Sequence, residues 1–195
     1  MPTGVPMGDA RERLFDAADR ILLRDGPSAL TSRAVTDEAG VAKGVLHKHF
    51  ADFDGFLAAF VLDRADRLDE RAAALLRAAG SGTVAGNLAE ALTAVFGSVA
   101  VAVVALVTFR DELRARLRET WPAGVPVLTE IAVMIRDYLA AERELGRLAP
   151  GADPEGLAPM LVGTAHLLFG DRTGAPPTEA AVRSAVDGVI GAVLV

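Results

Sequence analysis

The stretch of sequence that decides the fold is Thr31-Ser-Arg-Ala-Val-Thr-Asp-Glu-Ala-Gly-Val-Ala-Lys-Gly-Val-Leu-His-Lys-His-Phe50. Thr31 is of a residue type that caps helix N-termini, and the residues after it favour a helix to about Ala39. Gly40 supplies the positive φ that a tight turn requires, and a further short helix is predicted over residues 42–49. Two short helices joined by such a turn form a helix-turn-helix unit.

Basic charge is concentrated in the second helix of this unit. The 195 residues carry 20 basic and 26 acidic side chains, a net charge of −6. Residues 1–50 are balanced, with seven of each sign, so the acidic excess lies in residues 51–195. Both lysines of the chain, Lys43 and Lys48, lie within six residues of each other. A basic segment in an acidic protein predicts a confined surface that contacts an anion; the alternative is that the two lysines are neighbours by chance.

The sequence on both sides of this unit also has the pattern of helices. Apolar residues follow helical spacing from Asp9, a candidate N-cap, to Arg24, and Gly26-Pro27 ends that helix. Asp52 is expected to cap a long helix. The predicted helices after it, separated by glycine and proline, are about 53–79, 84–107, 109–119, 125–145, 154–169 and 178–194. No alternating stretch with turn residues indicates a sheet, so the sequence predicts an all-α protein of about nine helices. A three-helix head would occupy residues 1–52 and a helical bundle body residues 53–195.

Several classes of function are disfavoured by what the sequence lacks. There are no cysteines, which removes disulfides, thiol catalysis and cysteine-ligated zinc. His47 and His49 are two residues apart on a helix and point in different directions, so they are not a metal pair. No nucleophile elbow, phosphate loop or metal-spaced histidine set is present. We therefore expect a protein that is not an enzyme and that uses no metal and no cofactor.

A membrane partner is also disfavoured. Ala91–Phe109 contains no charged residue over 19 positions, which reaches the length of a spanning helix. It is rich in alanine and valine and has neither an aromatic belt nor Lys/Arg-rich flanks, so a buried helix is the preferred interpretation. The first ten residues lack the basic and apolar regions of a signal peptide. We expect a cytoplasmic protein.

Residues 9–60 resemble the DNA-binding domain of the TetR-type transcriptional repressors. The strongest match is Val41-Ala-Lys-Gly-Val-Leu-His-Lys-His-Phe50, where family members usually show Val-Ser-Lys-Gly-Thr-Leu-Tyr-Tyr-His-Phe. The upstream pattern Gly26-Pro27-x-x-x-Leu30-Thr31-x-Arg33 is also similar. The resemblance implies that residues 1–52 form a helix-turn-helix DNA-binding domain and that residues 53–195 form a helical ligand-binding and dimerisation domain.

The resemblance further implies a homodimer, formed through about residues 154–194, that binds a pseudo-palindromic operator in double-stranded DNA. A small-molecule effector of unknown identity would release the DNA, with repression as the family default. The residues expected to contact DNA are Thr31, Arg33, Lys43, Gly44, Val45, His47, Lys48 and His49. Two of these residues could instead have a purely structural role. Arg33 could pair with Asp37 one turn away, and His49 could pack against the next helix.

The chain departs from the family pattern at several positions. Ala42 replaces the usual serine and Val45 the usual threonine, which removes two hydroxyls. Phe53 replaces a lysine that often contacts phosphate, and the carboxylate of Asp52 beside it would be repelled by a nearby backbone phosphate. These departures support a second hypothesis: a helical dimeric small-molecule-binding protein with weak or degenerate DNA binding.

The sequence gives few indications of where a ligand pocket lies. Helices 84–109 and 125–140 are apolar with few charges, which predicts a largely apolar effector. The aromatic and polarisable residues on the body helices are the candidate ligand contacts, although each also fits a plain core position: Phe96, Phe109, Trp121, Met134, Tyr138 and His166.

Overall fold

The structure is a computed structural model that describes residues 7–122, 124–171 and 175–195, with side chains described from Ala10 onward. This part of the chain contains eleven α-helices and two short 3-10 helices, Pro27–Ala29 and Gly191–Val193. The α-helices are α1 (Met7–Arg24), α2 (Ser32–Ala39), α3 (Gly44–His49), α4 (Phe53–Asp66), α5 (Leu68–Arg77), α6 (Val84–Phe96), α7 (Ala100–Phe109), α8 (Asp111–Thr120), α9 (Leu128–Glu144), α10 (Pro154–Phe169) and α11 (Glu179–Ile190). The described residues form no strand beyond one isolated bridge between Leu148 and Leu194. The predicted all-α class is confirmed.

The helix count exceeds the predicted nine because two predicted helices are each divided. The segment 53–79 is broken at Arg67, and the segment 84–107 is broken at Gly97-Ser98-Val99. At the second break a Cβ on Gly97 would lie only 2.6 Å from the carbonyl oxygen of Thr93, so the chain needs glycine there. Asp9 is not an N-cap, because α1 already begins at Met7.

The described residues form two compact units. The first contains the residues up to Asp63 together with Ala102–Val125, and the second contains Arg64–Val101 together with Pro126–Val195. Compact packing is a different criterion from function, so the division into a DNA-binding domain over 1–52 and a body over 53–195 stays a prediction.

The first unit is built around Phe15 of α1. Its ring centroid lies 5.7 Å from those of Phe56 and Phe60, and 6.0 Å from that of Phe50. Leu46 of α3 is fully buried in the same unit. Each such side chain contributes about 2 kcal/mol through the surface it removes from water. This aromatic core fixes α3 and the start of α4 against α1.

The second unit is a bundle in which α9 packs against α5 and α10, and α11 packs against α6 and α10. Its fully or almost fully buried residues are aliphatic and follow helical spacing along these helices: Leu88, Leu92, Ile131, Ile135, Leu139, Val182, Val186 and Ile190. This is the pattern expected of helices that present one apolar stripe to a shared core.

A buried polar network lies within this second unit. The carboxylate of Glu142 is fully buried. It accepts a hydrogen bond of 2.5 Å from the Tyr138 hydroxyl and one of 3.2 Å from the Gly80 amide. It also forms an ion pair of 3.2 Å with Arg147. Asn87 in turn donates to the Tyr138 hydroxyl at 2.9 Å. Burial and the neighbouring Glu142 carboxylate raise the pKa of Tyr138, so this hydroxyl stays protonated and acts as a donor.

Glu142→Ala is expected to destabilise the protein by about 3 kcal/mol, because it leaves the Tyr138 hydroxyl and the Gly80 amide without their buried acceptor. Urea unfolding at neutral pH measures this. Glu144→Ala removes an exposed carboxylate on the same helix and is the matched control, with little change expected. A loss below about 1 kcal/mol for Glu142→Ala would mean that this network does not hold the turn after α5 in place.

Among the described residues, no single helix is both long enough and apolar enough to cross a membrane. The helices α6 and α7 reach that length and composition only as a pair, and the pair is bent at the break between them.

Candidate nucleic-acid interface

The turn between α2 and α3 has the geometry that the sequence predicted. The Ala34 amide donates to Oγ1 of Thr31 at 3.1 Å, so Thr31 is the N-cap of α2. Gly40 lies in the left-handed region with φ of 64°. Its amide donates to the carbonyl of Asp37, and the Val41 amide donates to the carbonyl of Thr36. This pair of bonds is a Schellman motif, which ends α2 and sets the direction of the chain into α3.

The helix α3 buries one side and exposes the other. It begins at Gly44, two residues later than predicted, and Lys43 directly precedes it in helical conformation. Leu46 is buried against the core of the first unit, whereas Lys43, Gly44, His47 and Lys48 are exposed. A Cβ on Gly44 would meet nothing within 4 Å, so this position leaves room for another molecule to approach the backbone.

Each remaining residue predicted to contact DNA has a definite place. Thr31 is exposed, although its hydroxyl already caps α2. Arg33 forms an exposed ion pair of 3.5 Å with Asp37, which is the structural role that the sequence offered as the alternative to DNA contact. Val45 and His49 are half-buried, and the His49 ring centroid lies 6.2 Å from that of Phe50. Of the eight residues predicted to contact DNA, six are therefore exposed and two are half-buried.

Other arginines of the head, residues 1–52, form hydrogen bonds or ion pairs within the protein. Arg13 donates to the carbonyl of Ala39 at 2.6 Å, at the C-terminal end of α2. Arg20 and Arg24 form ion pairs of 2.8 and 3.1 Å with Glu38, and their hydrogen bonds lower the pKa of that carboxyl. This contact of Arg13 with the end of α2 could not be predicted from the sequence. The only signal for it was a basic side chain on α1, off its apolar stripe.

In contrast, Lys43 and Lys48 have no ion-pair partner among the described residues. Both are exposed on the same short segment. Arg20 and Arg24 are paired with the carboxylate of Glu38, whereas Arg13 hydrogen-bonds to a neutral carbonyl and keeps its charge. The two lysines are therefore exposed positive charges of this surface that no carboxylate of the described residues offsets. Such charge on the exposed side of a helix that follows a turn is suited to binding phosphates along a DNA groove.

Asp52 caps α4, as the sequence predicted, by accepting a hydrogen bond from the Gly55 amide at 2.7 Å. It also forms a bidentate pair with Arg116 of α8, with 2.9 Å between Oδ2 and Nη2. The hydrogen bond from Arg116, followed by the one from Gly55, lowers the pKa of Asp52 to about 2.

This lowered pKa makes part of the stability depend on pH. The folded pKa is lower than the ordinary value of 3.8, so the contribution is complete above about pH 4 and is lost as the pH falls towards 2. We expect the wild-type protein to lose more stability between pH 4.5 and 2.5 than Asp52→Asn, which keeps a capping oxygen but has no titrating group. Urea midpoints at both pH values measure this, and equal losses in the two proteins would contradict the assignment.

The residues predicted to line a ligand pocket are divided between the two compact units. Phe109 and Trp121 belong to the first unit, whereas Phe96, Met134, Tyr138 and His166 belong to the second. Phe96 and Met134 are buried, and Tyr138 has its hydroxyl bound within the network around Glu142. The His166 ring is 6.1 Å from that of Phe96, and its Nδ1 is buried without a hydrogen-bond partner. Phe109 is 85% exposed and Trp121 is half-buried.

The described residues contain no group of three or more histidine, aspartate or glutamate side chains arranged to hold a metal ion. The chain has no cysteine to add to such a group.

Comparisons with known proteins agree with this geometry. Residues 14–60 match the family model TetR_N, described as bacterial regulatory proteins of the tetR family. A TetR-family regulator from Rhodococcus sp. is similar at 21% identity with a TM-score of 0.68, covering 96% of this chain and 100% of the other. A TetR-family regulator from Agrobacterium tumefaciens has 12% identity and a TM-score of 0.73, covering 97% and 100%.

A third solved structure is the regulator FadR from Bacillus subtilis in complex with stearoyl-CoA. It has 18% identity and a TM-score of 0.68, and the match covers 93% of this chain and 98% of that one. No curated protein matches the chain. At these identities the solved structures show the fold alone, and the match to the family model is confined to residues 14–60.

Proposed function

We propose that this chain is a TetR-family transcriptional regulator that binds a pseudo-palindromic operator as a homodimer, which the match of residues 14–60 and the fold support. In this proposal a small, largely apolar effector releases the protein from DNA, and repression is the default mode. The observation that carries the proposal is the exposed side of α3, where Lys43 and Lys48 have no ion-pair partner among the described residues.

The supports for DNA binding are geometric and electrostatic. The buried side of the short helix α3 packs through Leu46 onto the aromatic core, which holds the exposed side in place. The two lysines supply phosphate contacts, and His47 and Gly44 are exposed as well. A rigid helix with a basic exposed side that follows a tight turn is the arrangement that enters a major groove.

The support for a homodimer is an apolar surface on α10 and α11. On α10 the exposed residues at helical spacing are Pro159, Met160, Gly163 and Leu167, with Met160 57% and Leu167 81% exposed. On α11 the small residues Ser184 and Gly188 are exposed, and the two helices pack against each other. Large exposed apolar residues grouped on one surface mark a protein–protein interface.

The support for an apolar effector is indirect. The FadR structure was determined with stearoyl-CoA, which shows that a protein of this fold accommodates a ligand with a long apolar chain. Helices α6 and α7 of the present chain are rich in aliphatic residues, and Glu90 is the one charged residue in them.

The proposed mode of DNA binding is tested by half-site spacing. On an operator obtained by selection from random DNA, inserting five base pairs between the half-sites is expected to weaken binding about a hundred-fold, because half a helical turn places the two grooves on opposite faces. Inserting ten base pairs should restore part of the affinity. Binding that ignores both insertions would contradict a dimer with two fixed reading heads. Affinity no higher than for scrambled DNA would favour the second hypothesis, a dimeric small-molecule-binding protein.

A further inference from the structure

The first unit contains a cavity of about 670 Å3 beside the N-terminal end of α2. Its apolar wall is formed by Leu30, Phe53, Leu106 and Phe109. Phe109 is 85% exposed, which is unusual for a phenylalanine. A volume in this range is typical of sites that hold a small organic molecule.

One side of the cavity is polar. The hydroxyls of Ser28, Thr31 and Ser32 belong to residues that line it. The Ser32 hydroxyl oxygen is buried and has no hydrogen-bond partner. A buried polar group without a partner is costly, and rotation of this hydroxyl about its side-chain bond towards an acceptor atom of a bound molecule would satisfy it. Thr31 accepts from the Ala34 amide, which leaves its own proton available for donation.

The charge of the lining is positive. Among the described residues that line the cavity, Arg110 alone carries a charge. Its guanidinium lies 5.6 Å from the centroid of the Phe53 ring and 3.4 Å from Oδ1 of Asp54. A guanidinium has five N–H donors, so one ion pair at this distance leaves donors for a second carboxylate.

From this combination we propose that the cavity binds a small apolar monocarboxylate, with the carboxylate held between Arg110 and the hydroxyl of Ser32. The apolar body of the ligand lies along Phe53, Leu106 and Phe109, and it covers the exposed ring. This inference rests on the proposed function, because it assigns the site and the chemical class of the effector.

The position of the cavity explains how such a ligand opposes DNA binding. Thr31 lines the cavity and is also a predicted contact to the DNA backbone. A carboxylate bound beside the first turn of α2 places negative charge where a phosphate would otherwise approach. Ligand and DNA then weaken each other's binding by the same factor, as linkage requires.

The chemical class is tested with paired probes on the full-length protein. We expect 2-naphthoate and decanoate to bind at least about ten-fold more tightly than 2-naphthamide and decanamide, which keep the shape and lack the charge. Arg110→Gln should bring carboxylate and amide to similar affinities while leaving amide binding in place. Arg118→Gln removes an exposed arginine on α8 outside the cavity and should leave the preference intact. If Arg110→Gln does not fold, Ala105→Trp, which fills the cavity, should abolish binding of both probes.

The absence of native cysteine allows the site to be located directly. The thiol of a Ser28→Cys variant should be protected from maleimide by 2-naphthoate, whereas the thiol of Ser81→Cys, exposed in the second unit, should not. Equal affinity for carboxylates and amides, or labelling of Ser28→Cys that 2-naphthoate does not slow, would overturn the proposal.

The outcomes separate this inference from the proposed function. A protein that binds its operator but shows no carboxylate preference retains the function and loses the inference. A protein that binds and protects as described, yet selects no DNA, retains the carboxylate site and loses both the operator and the assignment of the ligand as an effector.

Discussion

Replacing Lys43 and Lys48 together by alanine is expected to weaken operator binding by about a thousand-fold near 100 mM salt, because a dimer loses four cations that face phosphates. Both side chains are exposed, and neither is part of the core that Leu46 and Phe50 form, so the fold should be retained. The slope of log affinity against log salt should fall by about 3 to 4, close to 0.9 for each phosphate contact removed. Fluorescence anisotropy with a labelled operator over a range of salt concentrations measures both quantities.

The matched control is Arg77→Ala together with Arg118→Ala. It removes the same formal charge from exposed positions on α5 and α8 and should leave the affinity within a few-fold of wild type. If the lysine variant and this control behave alike, the effect is one of net charge and α3 is not the reading helix. If the lysine variant keeps full affinity and an unchanged salt slope, the interface assignment is wrong.

Replacing Met160 and Leu167 together by glutamate is expected to convert the protein to a monomer and to reduce operator affinity by about a thousand-fold, since one head reads only half of a palindrome. Two carboxylates on each partner would be brought together inside an apolar interface, which is unfavourable by both desolvation and repulsion. Sedimentation equilibrium gives the mass, and the anisotropy titration gives the affinity.

Leu76→Glu together with Leu145→Glu is the control for this experiment. These leucines are also exposed, at 47% and 57%, but they belong to α5 and to the end of α9 rather than to α10. This control should remain a dimer. A Met160→Glu/Leu167→Glu protein that is still dimeric would show that the two chains associate through another surface.

The helix-turn-helix could be predicted from sequence because its determinants are local. Thr31 caps its own helix, and Gly40 adopts the one backbone region that α2 needs in order to end. The division of the longer helices was not predictable in the same way. At Gly97 the decisive fact is the distance to the Thr93 carbonyl, which the helical spacing of apolar residues does not reveal.

The pairing of charges was also beyond the sequence. Arg116 and Asp52 are 64 positions apart and meet only through the packing of α8 on the start of α4. The same is true of Arg13 and the end of α2. For this reason Asp52 was expected to oppose DNA binding, whereas it is neutralised within the protein.

The residues that line a ligand pocket were also difficult to predict from sequence. An aromatic residue at helical spacing looks the same in sequence whether it packs in a core, as Phe96 does, or lines a cavity, as Phe109 does. Tyr138 gave no sign that its hydroxyl would be bound by Asn87 and Glu142. The cavity beside α2 also depends on Arg110 and Ser32, which are far apart in sequence.

The measurement that tests the central claim most directly is selection from random double-stranded DNA by the purified wild-type protein at near-physiological salt, with Lys43→Ala/Lys48→Ala selected in parallel. We expect the wild-type protein to enrich one palindromic motif with two half-sites about one helical turn apart, and the variant to enrich none. Recovery of the same motif by both proteins would contradict the role of α3, and the absence of any motif in the wild-type selection would contradict operator binding itself.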